Sequence, residues 1–178
     1  MFYFLKALIL IIFPLASIHA AEMIFGEEQL DNGIKIIFEA APKDQIFPEN
    51  KFLEENKTDI HIEMLINWSK DSPQGAPDGG FIPYLDVTAI IKNSNGNHLK
   101  VKLTPHLNLT DNFHYAQNVK LPGKIDDLYD VVVEIKPPQG RQLGIHFDWK
   151  KKFNSLIKEH QFTYKNLSFE AISLESRR

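Results

Sequence analysis

Cysteine is absent from this chain of 178 residues. Its absence excludes disulfide bonds, thiolate metal sites, cysteine nucleophiles and lipidation at a cysteine. Methionine is scarce, with 3 in the chain. Any metal site must therefore be built mainly from histidine and carboxylate side chains, with methionine as a minor source of ligands.

An excess of basic charge is also missing. The 20 Lys and Arg residues face 23 Asp and Glu residues, and the formal net charge is −3. This balance offers no basic surface for nucleic acid or anionic membrane, so we expect no nucleic-acid partner. The hydrophobic fraction of 43% is ordinary for a globular protein, and the length fits one domain.

Residues 1–20 have the layout of a secretory signal peptide. Lys6 follows an aromatic start, an apolar run covers Ala7–Ala16, and small or polar residues continue to Ala20. The apolar run is short for a membrane span, which needs about 20 residues. We therefore expect cleavage after Ala20 or Ala21, export from the cytoplasm, and one mature domain over residues 21–178.

The mature region alternates apolar and polar residues with period two, which is typical of half-buried strands. The segments are Ile34–Ala40, Asp59–Asn67, Tyr84–Lys92, Leu99–Thr104, Asp130–Ile135 and residues 162–171. A change of phase near Asn166 predicts a β-bulge. Asp71–Gly80 is rich in proline and glycine and is predicted to be a long loop, and Lys150–His160 is predicted to hold one short helix. The pattern indicates an all-β fold, an antiparallel sandwich.

Histidines and carboxylates recur at short spacings. His61 and Glu63 share one strand face about 7 Å apart, and His146 and Asp148 repeat the spacing. The segment Pro105–Tyr115 between them carries His106, Asp111 and His114. Such donors suit Cu, Zn, Ni or Fe, although a single pair of this kind is more often just the polar face of a strand. Spacing alone does not show that the three segments converge.

Four motifs follow one another along the mature chain: TDIHIE at Thr58–Glu63, GGFIPYL at Gly79–Leu85, DNFHYAQN at Asp111–Asn118 and KPPQGRQLGIHFD at Lys136–Asp148. In this order they resemble the periplasmic iron-transport proteins, which are copper- and iron-binding partners of high-affinity ferrous-iron permeases. The resemblance implies an immunoglobulin-like β-sandwich in the periplasm. It also implies a homodimer with a metal site near the dimer interface, and an inner-membrane iron permease as partner.

The same resemblance implies the roles of individual residues. His61, His114 and His146 match the family's ligand histidines, Glu63 matches a neighbouring carboxylate, and Asp111 matches an acidic residue close to the site. Where relatives have a methionine ligand, this chain has Pro105-His106, so His106 is a candidate replacement. Loss of the thioether disfavours Cu(I) and leaves Cu(II), Fe or Zn as the expected metals.

The sequence thus leads to a metal-binding protein that serves iron uptake, without enzymatic activity, although a redox role for bound copper stays open. Two other functions stay open as well. One is a zinc-dependent hydrolase, against which stands the lack of an HExxH motif. The other is a structural or adhesive sandwich whose histidines are incidental.

Overall fold

The computed structural model describes residues 22–175, so the predicted signal peptide lies outside the described residues. The strands are β1 (Met23–Gln29), β2 (Ile34–Ala41), β3 (Ile60–Trp68), β4 (Asp86–Asn93), β5 (His98–Leu107), β6 (Phe113–Val119), β7 (Leu128–Lys136) and β8 (His160–Ser168). The helices are α1 (Phe147–Phe153) and α2 (Glu170–Leu174), and two 3-10 turns cover Glu49–Lys51 and Glu55–Lys57. None of the helices in this part of the chain has the length and apolar character needed to cross a membrane.

All neighbouring strands are antiparallel, in the order β1-β2-β3-β6-β5-β4-β7-β8. Strand β5 belongs to both layers of the sandwich. Its first part pairs with β4, from His98 to Leu103, and its last residues, Thr104–Leu107, pair with β6. The predicted all-β antiparallel sandwich is therefore confirmed, and the exchange of partners along β5 joins its two layers.

The core lies between the two layers and follows the period-two pattern of the sequence. In β3, Ile60, Ile62, Met64 and Ile66 are each at most 1% exposed and face this core. Burying each such side chain contributes about 1.5–3 kcal/mol. Because successive side chains point to opposite faces, His61 and Glu63 must lie on the outer face of the same strand.

The predicted bulge near Asn166 is confirmed. The pairing of β7 with β8 shifts register between Tyr129 and Val131, and Asn166 has a positive φ of 58°. Its backbone N–H bonds to the Asp130 carboxylate at 3.0 Å. The predicted loop Asp71–Gly80 is also confirmed, since no strand or helix forms there.

The end of the chain differs from the sequence prediction. Helix α1 begins earlier than the predicted segment Lys150–His160 and ends at Phe153, because Asn154 takes a positive φ of 65°. Strand β8 ends at Ser168, and α2 replaces the strand that was predicted to reach Ala171. Two strands were not predicted, because their sequences lack a regular apolar alternation: the edge strand β1, MIFGEEQ, and β6, FHYAQNV.

Gly26 provides a test of how β1 and β8 close the sandwich edge. A Cβ at Gly26 would lie 2.2 Å from Cζ of Tyr164, whose hydroxyl bonds to the Glu28 carboxylate at 2.9 Å. We expect Gly26→Ala to lower the free energy of unfolding by about 1–3 kcal/mol, because Tyr164 must leave its place. Chemical denaturation measures this loss.

The matched control is Gly144→Ala, since a Cβ there meets no atom within 4 Å. Its effect should stay within about 0.5 kcal/mol. Replacing Tyr164 by leucine in the Gly26→Ala protein should recover part of the loss. Equal losses in the two alanine variants would contradict this account of the edge.

Candidate metal centre

Three neighbouring strands place four of the predicted site residues on one outer sheet face: His61, Glu63, His106 and His114. In the register of β3 and β6, His61 pairs with Asn118 and Glu63 pairs with Ala116. In the register of β5 and β6, His106 pairs with His114. The neighbouring core residue of β6, Tyr115, is fully buried on the inner face, so His114 must point outward. The sheet therefore brings together histidines that are far apart in the sequence.

The outer face is nevertheless buried at this point. The exposed fraction is 4% for His61, 0% for Glu63 and 1% for His114. The covering segment, residues 42–58 between β2 and β3, lies over them. It contributes residues to a cavity of about 350 Å³ that His61, His106 and His114 also line. Within it, the Phe52 ring meets the His106 ring edge-on at 5.0 Å between centroids.

His61, His106 and His114 converge closely enough to hold one ion. Each offers one ring nitrogen, and these nitrogens all lie within 4.8 Å of one another. Ligand nitrogens at about 2.0–2.1 Å from an ion can be at most about 4.2 Å apart, so small shifts suffice for binding. The set fits a borderline metal ion such as Cu(II) or Zn(II).

The Glu63 carboxylate lies between two of these imidazoles. Its Oε1 is 3.6 Å from Nε2 of His61, and its Oε2 is 3.8 Å from Nε2 of His114. A second group with ligand atoms within 4.8 Å consists of Glu63, Asp111 and His114. The pocket thus has a nitrogen-rich side and an oxygen-rich side that share His114, and the oxygen-rich side suits a harder cation.

The protonation of the histidines favours ligation. The Nδ1 of His114 lies 3.1 Å from the Asn112 carbonyl oxygen, which can only accept, so Nδ1 carries a proton and the neutral form of the ring has its lone pair on Nε2. Burial, with a smaller contribution from His114, lowers the pKa of His106 to about 4. His106 is therefore neutral at pH 7 and able to bind a metal.

Five of the six predicted site residues meet in this pocket: His61, Glu63, His106, Asp111 and His114. His146 does not join them within the chain. It is exposed at the start of α1 and lines a separate cavity of about 530 Å³ with Trp68, at the far end of β3 from His61. The seven residue steps from His61 to Trp68 span on the order of 23 Å.

Several residues around the site were not identified from the sequence. Glu22, Glu39 and Asp111 form a third group with ligand atoms within 4.8 Å, and Glu39 pairs directly with Glu63 across β2 and β3. In the alternating segment Ile34–Ala40, Glu39 occupies a position on the outward face, so the sequence pattern could have identified it. Asn118 was visible as the outward residue four positions after His114.

Known proteins are similar to this chain in sequence. Residues 19–171 match the family described as Fe2+ transport protein. A UPF0423 protein of Brucella abortus is 30% identical over 155 residues, which cover 82% of each chain. A 34 kDa membrane antigen of Treponema pallidum is 30% identical over 95 residues, 52% of this chain and 45% of that protein.

Two solved structures have the same architecture. Copper-reconstituted P19 of Campylobacter jejuni superposes with a TM-score of 0.67 at 25% identity, covering 82% of this chain and 94% of that one. FetP of uropathogenic Escherichia coli, expressed recombinantly in the periplasm, gives a TM-score of 0.67 at 23% identity, covering 82% and 95%. The matched region includes every residue of the histidine and carboxylate cluster, and the chain belongs to the Fe2+ transport protein family.

Proposed function

We propose that this chain is an exported periplasmic protein that binds copper and iron and assists the delivery of iron to an inner-membrane permease. The observation that carries the proposal is the convergence of His61, His106 and His114, with the buried Glu63 carboxylate beside two of them. Membership of the Fe2+ transport protein family and the likeness to the copper-reconstituted P19 support it.

Cu(II) and Fe(II) would use different sides of the pocket. The three imidazoles suit Cu(II), because a site of nitrogen ligands generally binds Cu(II) more tightly than the other first-row divalent ions. Glu63 and Asp111, with His114, supply a mixed set of carboxylates and imidazole, the donor types that hold Fe(II) in non-haem iron sites. Iron is the cargo in this proposal, and copper is an alternative ion, because both donor sets include His114 and the one lone pair of its neutral ring binds one ion at a time. Zinc would bind the imidazoles in vitro.

We further propose that His146 acts from a second copy of the chain in a homodimer. Within one chain it lies at the wrong end of β3, yet it is exposed and flanked by the exposed apolar residues Ile145 and Phe147. Leu107 and Phe113 next to the pocket are also exposed, at 64% and 48%. Exposed apolar residues thus surround both His146 and the metal pocket. This fits an interface that brings His146 of one copy to the pocket of the other.

Binding and delivery, without catalysis, is the role we propose. A zinc-dependent hydrolase is the chemical competitor, because three imidazoles also meet the ligand requirement of hydrolytic zinc sites. The zinc-loaded protein would then cleave activated esters faster than free zinc does. A structural sandwich would bind no metal in stoichiometric amount.

Titration of metal-free residues 21–178 with Cu(II), followed by calorimetry and EPR, tests the site directly. We expect one tight, nitrogen-coordinated Cu(II) per chain, because His61, His106 and His114 converge. The double variant His61→Ala, His114→Ala should lose at least about 100-fold in affinity, more than loss of a residue that only supports a ligand.

The matched control is His98→Ala with His160→Ala, since these two histidines lie at the starts of β5 and β8, outside the cluster. The control should bind Cu(II) as the unaltered protein does. If both double variants lose the same affinity, the cluster is not the copper site.

Glu63→Gln distinguishes metal binding at the oxygen-rich side of the pocket from metal binding at the nitrogen-rich side. Removing the carboxylate charge should weaken Fe(II) binding by about tenfold or more, while Cu(II) on the imidazoles changes less. Competition assays with a chelator measure both affinities. Unchanged affinities for both metals would rule out a ligand role for Glu63.

Mixing two variants tests the origin of His146. His146→Ala lacks the donor from the second copy, and His114→Ala lacks a ligand in the pocket. A heterodimer of the two contains one intact site if His146 acts across the interface. We therefore expect tight Cu(II) binding to return after the chains are mixed, unfolded and refolded together. No recovery would show that His146 does not act in this way.

A further inference from the structure

Asn118 on β6 connects the metal pocket to the segment that covers it. Its side chain is buried, with 3% exposure, and lies opposite His61 in the strand register. The amide makes three short hydrogen-bond contacts. Its Oδ1 is 2.8 Å from Nδ1 of His61, and its Nδ2 donates to the carbonyl oxygens of Asp44 at 2.7 Å and Leu53 at 2.8 Å.

These contacts determine the orientation of the Asn118 amide. Both backbone carbonyls can only accept hydrogen bonds, so the NH₂ group must face them and Oδ1 must face His61. Since Oδ1 also only accepts, Nδ1 of His61 must be the donor and carry the proton. The neutral His61 ring then has its lone pair on Nε2, the atom 3.6 Å from Glu63 Oε1 inside the pocket.

The same amide holds the covering segment at two places. Asp44 lies near the start of residues 42–58, and Leu53 lies after the first 3-10 turn. Phe52, the residue before Leu53, is the ring that meets His106 edge-on. A hydrogen bond at the Leu53 carbonyl therefore keeps an aromatic side chain against one of the three imidazoles.

We propose that Asn118 is a positioning residue that turns Nε2 of His61 toward the metal and fastens the covering segment over the pocket. The proposal rests on the proposed function of the site. Through His61, Asn118 raises the affinity for the metal. Through Asp44 and Leu53, it slows the exchange of the metal with solvent.

Two substitutions separate these two effects. Asn118→Asp keeps an oxygen that accepts from Nδ1 of His61 but has no N–H for the two carbonyls, and its charge repels them. Asn118→Leu removes both interactions. The matched control is Asn93→Leu, since Asn93 is also 3% exposed and bonds to Asp127 and Asn97, which belong to no part of the pocket.

The first measurements use the metal-free protein. Imidazole ¹⁵N NMR should show the Nδ1–H form of His61 in the unaltered protein and in Asn118→Asp, and a mixture of tautomers in Asn118→Leu. Hydrogen exchange within residues 42–58 should be faster in both Asn118 variants and unchanged in Asn93→Leu. Unaltered exchange in Asn118→Asp, or the Nε2–H form of His61 in the unaltered protein, would overturn the proposal.

Cu(II) binding then gives the functional readout. Asn118→Leu should lose about 10–100-fold in affinity, the range seen when a residue that orients a metal ligand is removed. Asn118→Asp should keep its affinity within a few-fold and release Cu(II) to a chelator faster. Should Asn118→Leu fail to fold, Asn118→Asp decides the outcome, and release at the unaltered rate would count against the proposal.

A negative result for Asn118 can be distinguished from a failure of the proposed function. If the unaltered protein binds no Cu(II), the proposed function fails, and the NMR and exchange data on the metal-free protein still decide the role of Asn118. If the unaltered protein binds Cu(II) and Asn118→Leu binds it equally well, only the role of Asn118 is refuted.

Discussion

The burial of the Glu63 carboxylate between the imidazoles of His61 and His114 is the constraint on which the rest of this structure depends. Removing a carboxylate from water costs several kcal/mol unless charge or hydrogen bonds compensate it. Here Glu63 is 0% exposed, and Nε2 atoms of His61 and His114 lie 3.6 Å and 3.8 Å from its oxygens. A bound cation offsets this cost directly. The stability of the outer sheet face is thus linked to the occupancy of the pocket.

The sandwich supplies the rigid frame for this arrangement. The inner face of β3 is held in the core by Ile62 and Met64, so His61 and Glu63 cannot change face without exposing apolar side chains. The last part of β5 leaves β4 and pairs with β6, which sets His106 opposite His114. The covering segment then buries a sheet face that would otherwise be solvated. Ligands from three strands therefore meet in one site.

Local patterns were sufficient to predict the donor types and six of the eight described strands, all except β1 and β6, because period-two alternation and histidine spacing are visible in the sequence. The alternation of His61 and Glu63 with Ile60, Ile62 and Met64 predicted which side chains share a face. The convergence of His106 with His61 and His114 could not be predicted from spacing, since it depends on β5 changing partners. The burial of the site depends on the fold of residues 42–58, which have no regular pattern. The edge strand β1 was missed for a similar reason. Helix α1 was misplaced because its end is determined by the backbone of Asn154, which takes a positive φ.

A crystal structure of the Cu(II)-loaded protein, with anomalous data at the copper edge, tests the central claim most directly. The account predicts one copper peak per chain within about 2.0–2.1 Å of a ring nitrogen of His61, His106 and His114, beneath the covering segment. Copper bound only elsewhere, with these three imidazoles unchanged in position, would contradict it.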